Sequence, residues 1–196
     1  MDGPQYRSFT GQGWRPYGAY VDPTNAIPGP GHYELHRVGN KLHAYAWFQH
    51  RIRSCVPPGM TAILSVTVAG VTALKSALVF AGVSGRPELR IDWTTTPPRA
   101  AILVRNSTTQ AGEGWVTPVG RDFWRLSLRL TNTRSDPIHV MPTFYVTRGV
   151  ENAGLDLGLF AGDAHFEVAD EGWPKLTPPT GTSGPEKTMD RPGEAA

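Results

Sequence analysis

Apolar and polar residues alternate along most of the chain after residue 40. In TAILSVTVAG the apolar positions of one parity are Ala62, Leu64, Val66 and Val68. In DFWRLSLRLTNT they are Trp124, Leu126, Leu128 and Leu130, with Arg125, Ser127 and Arg129 between them. Similar runs cover 41–53, 74–80, 88–94, 100–105, 138–148 and 154–169. A period of two predicts strands that bury one face.

These runs predict about eight strands, and no segment has a convincing helical period. The 22 Gly and 18 Pro residues are spread over the whole chain, as expected for short strands joined by turns. The pattern therefore predicts an all-β fold, an antiparallel β-sandwich and most simply a jelly roll. Pro142 predicts that its strand is an edge strand or is bulged. Residues 106–122 predict a long exposed loop that carries Trp115.

The two ends of the chain differ from the alternating region. Residues 1–40 are rich in aromatic residues, Pro and Gly, which predicts an extended arm that packs on its own domain or on a neighbouring subunit. A flexible leader is the alternative. Residues 41–178 form the predicted sandwich. Residues 179–196 have no apolar pattern and predict a flexible tail.

Charge and cysteine content narrow the function classes. The net charge of +2 and the scattered arginines argue against a nucleic-acid partner. Cys55 is the single cysteine, so an intrachain disulfide cannot form. The first residues lack the pattern of a signal peptide, and no apolar run is long enough for a membrane span. We therefore expect synthesis in the cytoplasm without membrane insertion.

Aromatic residues provide the first candidate binding site. Tyr45, Trp47 and Gln49 share one face of the strand in 41–53. Flat rings match the C–H faces of sugars, and neighbouring polar groups bind the hydroxyls. These three residues and Trp115 are therefore predicted to bind carbohydrate. The alternative is that this face is covered by the arm or by another subunit.

Asp163, His165 and Glu167 share one parity of the last strand and offer several chemistries. A single metal ion does not easily reach three ligands on one strand, and two carboxylates on one strand do not form a catalytic cleft. Neither a metal nor a catalytic residue is therefore predicted, and no cofactor is expected. We predict that Glu167 is structural, bound to turn amides or to Arg125. Asp163 and His165 are predicted to contact sugar.

Three segments carry a resemblance to a known family. DFWRLSLRLTNT (122–133) resembles the G-W-Y-R-L-S strand of jelly-roll modules in phage tail-fibre, tail-spike and virion-attachment proteins. DAHFEVA (163–169) resembles their last strand, G-A-Q-F/L-E-x-G, and KLHAYAWFQH (41–50) resembles their opening strand. The resemblance implies that Trp124 and Phe166 lie in the core.

The last strand also departs from the family pattern. Asp163 stands where the family has Gly, and His165 stands where it has Gln. Glu167 keeps the family's Glu. Because of these departures, the resemblance transfers no ligand residue to this chain.

The resemblance implies a role on a virion, as part of a head spike or tail fibre of a phage or gene-transfer agent. We expect a non-enzymatic component that binds bacterial surface or capsular polysaccharide for host attachment. The arm would contact other particle proteins, such as the capsid vertex, and the protein would be a homo-oligomer. The alternative is a structural adaptor or capsid-decoration protein without sugar binding. An enzyme that cleaves polysaccharide is disfavoured because no carboxylate cleft is evident.

Overall fold

The computed structural model describes residue 9 and residues 13–31, 33–83, 87–103 and 110–170. Thirteen strands and one short 3-10 helix, Val150–Asn152, lie in these ranges. The strands are β1 Trp14–Tyr17, β2 Tyr20–Pro28, β3 Glu34–Gly39, β4 Tyr45–His50, β5 Ser54–Val56, β6 Met60–Ala69, β7 Lys75–Ala81, β8 Glu88–Asp92, β9 Arg99–Leu103, β10 Gln110–Gly120, β11 Phe123–Asn132, β12 Ile138–Arg148 and β13 Gly158–Asp170.

The strands form two antiparallel sheets. The first sheet has the order β1-β4-β12-β7-β8-β9, and β5 also pairs with β12. The second sheet has the order β10-β11-β6-β13-β3-β2. The two sheets pack face to face, so the predicted all-β sandwich is confirmed.

Eight of these strands are connected as a jelly roll. In chain order they are β3, β4, β6, β7, β8, β11, β12 and β13. The first pairs with the last, the second with the seventh, the third with the sixth, and the fourth with the fifth. Nested pairing of this kind, shared between two sheets, defines the jelly roll. The other five strands widen the sheets.

The core lies between the sheets and follows the predicted alternation. Leu64 on β6 and Leu128 on β11 are fully buried and lie opposite each other. Phe166 on β13 is buried and contacts Phe80 of the first sheet, edge to face at 6.2 Å. Trp124 is half-buried and packs against the same core. The burial of these side chains is the main force that holds the sheets together.

Part of the predicted N-terminal arm belongs to the sandwich. Within 1–40, β1 extends the first sheet, β2 extends the second, and β3 is the first strand of the jelly roll. Phe9 and Trp14 are buried in the core. Of the two contacts predicted for the arm, packing on its own domain therefore describes these residues. The predicted tail, 179–196, lies outside the described residues.

The prediction of an exposed loop over 106–122 is wrong for the part that the structure describes. Residues 110–120 form β10, which pairs with β11 along its length. Gly114 faces the core, and a Cβ there would lie 2.5 Å from Ile102 Cδ1. A side chain at this position would require the end of Ile102 to move, and its Cβ would lie 3.1 Å from the Ser127 backbone oxygen. This glycine indicates close packing and not a loop.

Two apolar side chains predicted on the buried face of residues 41–53 are exposed. Leu42 is 54% exposed and Ile52 is 58% exposed, because β4 covers only Tyr45–His50. Leu42 has φ 65°, in a left-handed turn that breaks the alternation. Phe48 is buried as predicted, and His50 takes the next buried position.

Pro142 lies at an interruption in the pairing of β12. On one side it pairs with Phe80 of β7. On the other side, pairing with β5 ends at Val140 and pairing with β4 starts at Thr143. β12 is therefore a central strand with a local edge at Pro142, where the missing N–H is tolerated.

Candidate functional site

The six residues predicted to bind carbohydrate fall on two opposite outer faces. Tyr45, Trp47 and Gln49 lie on β4 of the first sheet. Trp115, Asp163 and His165 lie on β10 and β13 of the second sheet. Packed sheets are about 10 Å apart, so the whole sandwich separates the two sets. They cannot share one small ligand.

On the first sheet, three aromatic side chains form one row across adjacent strands. Trp47 on β4 pairs with Tyr17 of β1 on one side and with Tyr145 of β12 on the other. The Tyr17 and Trp47 rings are stacked, with centroids 5.1 Å apart and planes 14° apart. Trp47 and Tyr145 are 5.3 Å apart and tilted by 32°. Tyr17 and Trp47 therefore pack face against face, and the row forms a continuous aromatic surface on the sheet.

The exposure of these rings decides which of them a ligand can reach. Tyr17 is 39% exposed and Tyr45 is 42% exposed, whereas Tyr145 is only 5% exposed. Trp47 is half-buried between its two neighbours. We call Tyr17, Tyr45 and Trp47 the aromatic platform. Tyr145 supports it from the sheet, together with Ala77 and Val79.

An arginine holds one end of the platform in place. The Arg148 guanidinium lies 5.2 Å from the Tyr45 ring centre and 4.7 Å from that of Tyr145. Its Nε and Nη2 donate hydrogen bonds to the two Glu88 oxygens, at 2.9 and 3.0 Å. Arg90 donates to the same carboxylate at 2.6 Å. The arginine is thus fixed beside Tyr45 by a buried acid.

Glu88 stays ionised although it is almost fully buried. Burial alone raises the pKa of its carboxyl group. The hydrogen bonds and charges of Arg148 and Arg90 outweigh burial, and the pKa lies below its usual value. The bond to Glu88 also raises the pKa of Arg148. Glu88 and Arg148 therefore remain charged at neutral pH.

Polar groups complete the other end of the platform. Arg15 on β1 pairs with Gln49 on β4, one row beyond Tyr17 and Trp47. Gln49 donates a hydrogen bond to Thr143 Oγ1 at 3.4 Å. Arg15 is exposed. The platform thus combines flat apolar rings with a guanidinium and an amide beside them.

Sequence reasoning missed Tyr17 because it treated the segment before residue 41 as an arm. The signal was present in WRPY, where Arg15 and Tyr17 alternate with Trp14 and Pro16 as in a strand. Pro16 argued against a strand, but among the described strands β1 pairs with β4 alone, and such an edge strand tolerates proline. Tyr17 stacks on Trp47 because β1 pairs with β4, and the alternation within either segment does not predict that pairing.

On the second sheet, the predicted residues lie in a more polar setting. Trp115, Ser127, Ser65 and His165 form one row across β10, β11, β6 and β13. Three steps between neighbouring strands place Trp115 about 14 Å from His165. His165 Nε2 lies 3.1 Å from Glu167 Oε2. These side chains share a face but do not converge on one point.

Arg125 occupies the middle of this face and binds the bulge in β13. The bulge lies between Gly162 and His165. The guanidinium donates to the Asp163 carboxylate and to its backbone oxygen. It also donates to Thr67 Oγ1 at 2.8 Å and to Ser65 Oγ at 2.6 Å. Asp163 is thus engaged within the protein.

The predicted partner of Arg125 is corrected by these contacts. A pair between Glu167 and Arg125 is one of the two contacts predicted for Glu167, but the acidic partner of Arg125 is Asp163. Glu167 lies two residues further along the strand, beside His165. The bulge turns the Asp163 carboxylate toward Arg125, which simple alternation does not anticipate.

Three further observations concern the described residues. Within them, no group of three or more His, Cys, Asp or Glu side chains is arranged to hold a metal ion. No helix in the same ranges has the length and apolarity needed to cross a membrane. Cys55 is an exposed free thiol on β5.

The fold and these two faces define a jelly-roll β-sandwich with an aromatic surface on one sheet. Comparison with protein-family models and with curated proteins gives no match to this chain.

Proposed function

We propose that this protein binds carbohydrate, without catalysis, through the aromatic platform. The observation that carries the proposal is the stacked pair of Tyr17 and Trp47 on an outer sheet face. Exposed aromatic rings contact the C–H groups of a sugar, while Gln49 and Arg15 lie beside them and supply hydrogen-bond donors. A flat sheet surface suits a polymer that runs across it.

We further propose that the glycan is a bacterial surface or capsular polysaccharide and that the protein acts in attachment, as part of a virion spike or fibre. This step rests on the resemblance of residues 122–133 and 163–169 to phage attachment modules. The conformation of Asp163 supports it, since φ is 46° where the family pattern has glycine. Weak single sites on a homo-oligomer would gain strength through avidity.

The experiment measures binding of the full chain, displayed in many copies on beads, to an array of bacterial polysaccharides. We expect Trp47→Ala to weaken binding about tenfold or more, because it removes the central ring of the stack. Tyr17→Ala, at a more exposed residue, should weaken binding with less effect on folding. Trp115→Ala is the matched control, since it removes an aromatic ring from the opposite outer face.

The outcome separates the candidate functions. Loss of binding in the Trp47 and Tyr17 variants, with binding kept in the Trp115 variant, supports the aromatic platform. The reverse pattern would move the site to the second sheet. If the beads bind no glycan above a denatured control, carbohydrate binding is excluded and a structural adaptor remains.

The adaptor is the second candidate because of an exposed apolar patch at one end of the sandwich. Leu42, Val150 and Leu155 are 54%, 73% and 45% exposed. Their loops are joined by a hydrogen bond from Gly154 N–H to the Leu42 oxygen, at 2.9 Å. A cluster of exposed aliphatic side chains is typical of a protein contact.

A further inference from the structure

We infer that the aromatic platform selects acidic glycans, because guanidinium groups lie at both of its ends. The inference rests on the proposed function, since it names the class of sugar for the same surface. Carboxylates of uronic or sialic acid units are the groups that a guanidinium binds best, through two parallel hydrogen bonds.

Arg15 provides the charge at one end of the platform. Residues two apart on a strand project to the same side, so Arg15 and Tyr17 share the outer face of β1. Arg15 is exposed, and among the described residues no acidic side chain lies within ion-pair distance of it. Its charge is therefore available to a ligand that lies on Tyr17 and Trp47.

The other end retains a positive charge although it contains a carboxylate. Glu88 binds both Arg148 and Arg90, and one negative charge cannot neutralise two positive ones. Arg148 lies beside Tyr45, the exposed ring at this end. Glu88 itself is only 2% exposed, so it presents almost no negative surface to a ligand.

The two charged ends lie along the direction of β4. Arg15 is level with Gln49, the stacked pair is level with Trp47, and Arg148 is level with Tyr45. From Gln49 to Tyr45 the strand advances about 13 Å. An extended polymer along β4 would therefore pass the exposed Arg15 guanidinium, two stacked rings and Arg148. Arg148 is 15% exposed and already binds Glu88 through two hydrogen bonds, so its charge attracts a carboxylate without a second such pair. A neutral glycan would remove water from these charges without providing an ionic partner, and this cost disfavours its binding.

The test compares each acidic polymer with its own neutral form. The probes are hyaluronan, polygalacturonate and polysialic acid, each native and after reduction of its carboxyl groups to alcohols. We expect the full chain to bind at least one native polymer and to lose most binding after reduction. Arg15→Gln should weaken binding to the native polymer about three- to fivefold, and Arg15→Lys by less.

Arg121→Gln is the matched control for Arg15→Gln. The Arg121 side chain is 98% exposed and precedes β11 on the opposite sheet, so this change removes the same charge far from the platform. Equal weakening by both changes would show a net-charge effect and overturn the inference. Raised salt should weaken binding of the native polymer more than that of the reduced one.

The failures of the two proposals are distinguishable. If the protein binds reduced and native polymers equally, or binds only neutral glycans, acid selection is wrong and carbohydrate binding stands. If the protein binds a native polymer but Trp47→Ala leaves that binding unchanged, the charges act without the platform and the inference is overturned. If no polymer and no arrayed polysaccharide binds, both proposals fail.

Discussion

Asp163 combines an unfavourable backbone conformation with a strong side-chain partner. Its φ of 46° lies in the left-handed region, which glycine, Asn and Asp adopt more readily than other residues. The Arg125 guanidinium binds both its carboxylate and its backbone oxygen. The ion pair therefore stabilises a conformation that the backbone alone disfavours.

We expect Asp163→Ala to lower the free energy of unfolding by about 2–3 kcal/mol, since it adds left-handed strain and removes the partner of Arg125. Asp163→Asn should cost about 1 kcal/mol, because Asn tolerates this conformation and keeps an acceptor. Urea unfolding measures both values.

Asp122→Ala is the control that isolates the backbone contribution. Asp122 has φ 66°, but its side chain is 87% exposed and forms only a distant pair with Arg121. It should cost about 1 kcal/mol. If Asp163→Ala costs no more than this control, Arg125 does not stabilise the bulge.

At the scale of single elements, β10 shows how a strand can lack the usual strand composition. Its core-facing positions include Gly112 and Gly114, which pair with Leu130 and Leu128. A side chain at Gly114 would meet Ile102 and Leu89. The neighbouring strands fill the space that a β10 side chain would occupy, so glycine is the residue that fits.

We expect Gly114→Ala to lower the free energy of unfolding by about 1–3 kcal/mol through overpacking. Ile102→Val removes the Cδ1 atom that the new Cβ would meet, so the double variant should recover part of the loss. In the same strand, Gly120→Ala should cost little, because the nearest atom would be 3.5 Å away. Equal losses for Gly114 and Gly120 would contradict this packing.

The sequence predicted which parity of a strand faces the core, and it failed where a neighbouring strand decides the structure. The apolar parities of β6 and β11 lie in the core as predicted, although Ser65 and Thr67, of the other parity of β6, are also buried. β10 did not, since Ile102 sets the size allowed at Gly114. Trp47 was a candidate from its own strand, but its stacking partner Tyr17 comes from a pairing across 30 residues. The sequence pattern within a single strand does not indicate which distant strand will lie beside it.

At the scale of the whole molecule, the N-terminal residues join both sheets. β1 is an edge of the first sheet, and β2 is an edge of the second. Phe9 is buried in the core against the first sheet, with ring centres 5.0 Å from Trp14, 5.1 Å from Phe48 and 5.4 Å from Phe144. This segment is therefore part of the folding unit.

We expect Phe9→Ala to cost about 3 kcal/mol or more in the free energy of unfolding, because it leaves a cavity among three aromatic rings. Phe123→Ala is the matched control at a half-buried residue on the outer face of β11, and it should cost less. Thermal and urea unfolding give both values. A cost below about 1 kcal/mol for Phe9 would show that its segment is dispensable for stability.

The positions of the first and last described strands have a consequence for how a partner could hold the molecule. Trp14 pairs with His50, and Asp170 pairs with Met60. The short connection 51–59 joins those two partners, so Trp14 and Asp170 lie at the same pole of the sandwich. A partner bound at this pole would contact one end of the strands. The outer sheet face that carries Trp47 then lies along the side of the molecule. A polymer would therefore bind along that side and not at the opposite pole.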